Sequence, residues 1–241
     1  MRRFLFFVLF SFFLLPARSQ DFNYTVSADS VAWNELNTQT ILNAGDTAWK
    51  FAYKIPVGFS FHYLGRTFDS LMIETNGYLV FDNDRNYAFT AFQQFGDRVD
   101  SLGHHAVIGY ELSGSTGNHV LKIQYKNAGL SLTDARAQSW QIWLKENGSV
   151  ELHAGPTDYR LREVYYTVND STYTVSELDS AQVSRIGLLN QNMNSAVYGI
   201  FLSGSSSSPV AENSDEQHPE TASLQGIPSQ GMRYVFTPTN N

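Results

Sequence analysis

The sequence predicts an all-β fold, two antiparallel sheets packed face to face as a jelly-roll-like sandwich. Three observations predict it: apolar and polar residues alternate with a period of two, the tight-turn pairs Asn76-Gly77 and Asn147-Gly148 separate such stretches, and no segment holds a sustained helical stripe.

The clearest strand is 119–126. Leu121, Ile123 and Tyr125 face one way there, and Lys122, Gln124 and Lys126 the other. The same alternation sets Trp140, Ile142 and Leu144 against Gln141, Trp143 and Lys145, and then Val150 and Leu152 against Glu151 and His153. Further strands are expected at 49–55, 59–63, 71–75, 78–82, 106–112, 163–168, 185–190, 197–203 and 232–237. Short strands cut by Gly, Asn, Asp and Pro suit a sandwich, with a closed barrel as the alternative. No repeat of 20 to 50 residues points to a propeller or solenoid.

Residues 1–19 read as a secretory signal peptide: Arg2 and Arg3, an apolar run from Phe4 to Leu15, then Pro16 and the small-residue site Ala17-Arg18-Ser19. The run is about twelve residues, short of the roughly 20 that a membrane-spanning helix needs. Residues 20–241 are expected to form one β-sandwich domain. Within it, 204–231 is rich in Ser, Pro and acids, and is expected to be a mobile loop before the final strand.

The chain has 16 Lys and Arg against 23 Asp and Glu. Signal cleavage removes Arg2, Arg3 and Arg18 and no acid, leaving a net charge of about −10. A surface this acidic, with no Lys or Arg run, repels phosphate backbones and excludes nucleic acid as a partner class. There is no cysteine, so the core must hold the fold without disulfides, and thiol catalysis and lipid attachment at a cysteine are excluded.

Catalytic patterns are weak, and the protein is not expected to be an enzyme. Gly114-Ser115-Thr116-Gly117 has the wrong spacing for a nucleophile elbow. Glu74, Glu146, Glu151 and Glu163 show no close pairing of the kind a glycosidase needs. His104 and His105 are adjacent and would point to opposite strand faces, while His62, His119 and His153 are isolated. Calcium is the one cofactor with a local signal: Asp82, Asp84 and Asn86 repeat the alternating oxygens that open a calcium loop, but Tyr87 and Gln93 stand where Gly and Glu are wanted.

Most aromatic residues, Trp33 among them, read as core. Trp143 is the exception, sharing a strand face with Gln141 and Lys145. That face needs a cover, supplied by 204–231 or by a ligand, and these three residues are the candidate ligand-binding set.

Three stretches carry a family resemblance: Pro56 to Gly65 running into Phe68 to Phe81, then Leu121 to Gly129, then Gln141 to Glu146 with Val150 to Pro156. Together they resemble the N-terminal β-sandwich module of secreted Bacteroidetes proteins, often exported by the type IX system. The first stretch also resembles the strand pair of nidogen-like extracellular domains. The resemblance implies a binding or adhesion module that recognises a glycan or an envelope protein, with a structural subunit of an outer-membrane or envelope assembly as the alternative. It implies a secreted location, whether extracellular, periplasmic or outer-membrane associated.

Overall fold

The computed structural model describes residues 24–37, 39–44, 52–83, 86–92, 103, 105–129, 137–158, 162–168, 171–177, 185–192, 196–214 and 223–239. The chain opens with β1 (Tyr24–Ser30) and β2 (Thr40–Ala44). A first meander follows: β3 (Ala52–Tyr63), β4 (Arg66–Glu74), β5 (Tyr78–Val80) and β6 (Tyr87–Thr90). A second comprises β7 (Val107–Ser113), β8 (Val120–Ala128), β9 (Gln138–Lys145) and β10 (Val150–Thr157). After the hairpin β11 (Arg162–Val168) and β12 (Ser171–Glu177) come β13 (Gly187–Asn192), β14 (Ala196–Ser205), β15 (Ser208–Ser214), β16 (Leu224–Gln225) and β17 (Met232–Pro238).

The strands form the expected sandwich rather than a closed barrel. One sheet runs β1-β17-β10-β9-β8-β7-β2 and the other β15-β14-β13-β6-β5-β4-β3, with β16 added parallel to β14. The period-two faces meet as the sequence demands. Leu121, Leu144, Val150 and Phe236 make one inward row of the first sheet, and Ile123, Ile142, Leu152 and Tyr234 the next, all fully buried. They pack on Ile55, Phe61, Tyr63, Leu71, Ile73, Leu79 and Phe89 of the second sheet. Fully burying a side chain of this size is worth about 1.5–3 kcal/mol. Tyr125 ties the sheets together: its ring stacks on Trp140 at 4.5 Å and its hydroxyl donates to Glu74 O at 2.7 Å.

Several local details differ from the sequence reading. The expected strands at 49–55 and 59–63 are one, β3, with irregular pairing between Pro56 and Phe61, where proline lacks a donor and Gly58 has φ 89°. The Asn-Gly turns are three-residue loops rather than two-residue ones. Lys145 and Ser149 close the β9–β10 loop by Lys145 N–H to Ser149 O at 3.0 Å, and Gly148 alone takes positive φ, at 85°. Segment 204–231, expected to be a loop, carries strand: β15 pairs with β14 from Gly199↔Ser214 to Ser205↔Ser208, and β16 pairs with β14 on its other side. Backbone pairing to an existing edge holds a segment with few apolar residues, which composition alone does not reveal. The signal peptide, Trp49, Asp84 and His104 lie outside the described residues.

Candidate functional site

The outward face of the first sheet is polar, and its register sets side chains in rows across the strands. One row runs Asp29, Arg233, His153, Gln141 and Gln124. The next runs Val235, Glu151, Trp143, Lys122 and Glu111.

Because β1 and β2 occupy opposite edges of this sheet, the chain between them crosses its whole outer face as a strap. Val31 N–H donates to Gly231 O at 2.8 Å at the start. Over the middle strands, Gln141 Nε2 donates to Asn34 O at 2.7 Å, and Leu36 N–H donates to Gln124 Oε1 at 3.0 Å. The two glutamines are joined in turn, Gln141 Nε2 to Gln124 Oε1 at 2.8 Å. Lys126 Nζ pairs with Glu35 at 2.7 Å. Trp33 packs closely on Gly155, where a Cβ would fall 2.8 Å from the indole, so the strand needs glycine there.

Beside the strap lies a cleft of about 440 Å³. The strap residues Val31 to Asn37 form its wall, and Arg233, His153, Gln141, Trp143, Lys122 and Glu111 form its floor. Trp143 is half-buried. Its Nε1–H donates to Gln141 Oε1 at 2.9 Å. His153, from β10, stacks on its ring at 4.1 Å, and Lys122, from β8 on the other side, places its ammonium 4.8 Å from the ring centroid. The indole is therefore flanked from both neighbouring strands.

Glu151 is buried beneath this layer and joins two cations and an imidazole. Its carboxylate meets Lys145 Nζ, His153 Nε2 at 2.9 Å and Arg233 Nη1 at 3.7 Å, while Arg233 also grips Asp29 with two hydrogen bonds. Burial alone would raise the Glu151 carboxyl, but the hydrogen bonds and charges of His153 and Lys145 together outweigh it and hold the group below the usual carboxylate range.

The candidate ligand set is thus divided. Trp143 and Gln141 stand together in the cleft, whereas Lys145 is drawn to Glu151 and lies outside the lining. Among the described residues the strap covers this face, and of segment 204–231 Gly231 is the described residue that reaches the cleft. Sequence reading missed Trp33, Asn34, Asn37 and Glu111 as lining. The signal for Trp33 was Gly155, a glycine inside a strand, which marks a close approach.

The calcium candidates form a turn held by its own acid. Asp82 Oδ2 accepts from Asn86 Nδ2 at 3.2 Å, and Asp82 Oδ1 accepts from Tyr87 N–H at 3.2 Å. Both Asp82 oxygens thus take protein donors, while Asp84, the middle residue of the candidate set, lies outside the described residues. Among the described residues, no group of three His, Cys, Asp or Glu is placed to hold a metal ion.

Fold and site together define a β-sandwich module with a polar cleft across one outer sheet face. Residues 23–238 match the NIDO-related family, and the chain belongs to it. That family is typically extracellular, and among the described residues no helix is long and apolar enough to cross a membrane. No curated protein and no solved structure matches the chain.

Proposed function

We propose that the protein is a non-catalytic binding module of the cell envelope or its exterior, recognising a glycan in the cleft beside Trp143. The observation that carries the proposal is the lining of that cleft: two indoles, Trp33 and Trp143, among the side chains of Asn34, Asn37 and Gln141. Its volume falls in the range of clefts that take small ligands, about 300–1,000 Å³. Amide groups beside the exposed part of the Trp143 indole, whose ring is flanked by His153 and Lys122, suit a ligand rich in hydroxyls.

The non-catalytic reading rests on the two carboxylates of the lining. Glu35 is paired with Lys126 and Glu111 with Lys122, so each carboxylate of the lining is engaged by a lysine of the sheet rather than set across a groove from a second free carboxyl. The alternative, a structural subunit of an envelope assembly, calls for a broad apolar patch. The exposed large apolar side chains among the described residues, Ile41, Leu112 and Val210, stand on three different strands, and Ile41 and Leu112 on opposite faces.

A glycan array probed with the mature chain, run beside affinity capture from native envelope, tests the proposal. Binding to a defined glycan class, competed away by the same glycan free in solution, supports it. A blank array beside capture of envelope proteins overturns it in favour of the structural subunit.

A further inference from the structure

Resting on the glycan reading, we infer that the ligand is an extended, uncharged oligosaccharide lying across the strands rather than along them. The floor draws on five adjacent strands, from Arg233 on β17 to Glu111 on β7. At about 4.8 Å per strand spacing, that is a channel of about 19 Å. A volume of about 440 Å³ spread over such a length leaves a narrow trough, longer than one sugar ring and too slender for a branched ligand.

Charge sets the class. Every permanently charged side chain of the lining already faces an opposite one: Glu111 with Lys122 at 3.6 Å, Glu35 with Lys126, and Arg233 with Asp29 and Glu151. A uronate or sulfate would have to break one of these pairs to find a counter-charge. It would also approach a protein whose formal net charge is −7 before signal removal. Paired ions, however, offer donors and acceptors side by side, which is what a neutral polyol uses.

The test is calorimetric titration of the mature chain with unbranched neutral oligosaccharides of increasing length and with uronate-containing or sulfated ones. The expected result is affinity that climbs with length, is insensitive to salt, and exceeds that for the acidic series by about tenfold or more. Glu111→Gln leaves Lys122 without its carboxylate and should narrow that preference, with circular dichroism reporting that the variant folds. Equal or tighter binding of acidic chains, weakening with salt, overturns the charge assignment and leaves the glycan reading standing. So does an unchanged preference in Glu111→Gln. Single sugars binding as well as long chains overturn the extended geometry, and no binding by either series overturns the glycan reading itself.

Discussion

Glu151 and His153 are two residues apart on one strand, point to the same face, and bring carboxylate and imidazole to 2.9 Å. That contact sits under Trp143, whose ring stacks on the same imidazole. The floor of the cleft is therefore built on a buried carboxylate, and the stability of that layer follows its charge.

Glu151 should make the fold acid-sensitive. Its carboxyl is held below the ordinary value in the folded state, so its contribution is complete above the unfolded value of about 4.3 and is lost as pH falls through the lower folded value. Glu151→Gln leaves Lys145 and Arg233 facing a neutral amide and should cost about 1–3 kcal/mol at pH 7. Denaturant melts of both proteins across pH should show the gap closing only below about pH 4. A gap that is constant with pH would contradict the charge assignment.

Gln124 should decide whether the strap stays on the sheet. Its Oε1 accepts from Leu36 N–H and Gln141 Nε2 together, so Gln124→Ala removes both ties. Hydrogen exchange at the Leu36 amide should then quicken by about tenfold or more, while amides of β8 and β9 keep their protection. An unchanged Leu36 rate would mean that other contacts hold the strap.

The inward faces were legible because alternation is a local signal: Leu121, Ile123, Trp140 and Ile142 need only their own strands to declare their side. The same signal put Trp143 and Gln141 together. The strap was not legible. Residues 31–37 carry no periodicity, and their position follows from β1 and β2 lying at opposite edges of one sheet, which depends on pairings such as Tyr24↔Pro238 across most of the chain. Lys145 misled for a related reason. It shares a face with Trp143, but its ammonium is drawn to Glu151 on the neighbouring strand.

Calcium should leave the protein unchanged. With both Asp82 oxygens accepting from Asn86 and Tyr87, a cation would have to compete with two protein donors, and the melting temperature should be the same with millimolar calcium as with chelator. A rise with calcium that chelator reverses would show a site that the turn geometry does not provide.

Trp143→Ala, measured for binding and unfolding together, decides whether this indole belongs to a glycan site. The indole is half-buried and held by His153, Lys122 and Gln141, so its removal should cost about 1–3 kcal/mol and leave a folded protein. Under conditions where both proteins are fully folded, the variant should lose glycan binding by about tenfold or more. A folded Trp143→Ala protein that binds glycan as well as the parent would contradict that assignment.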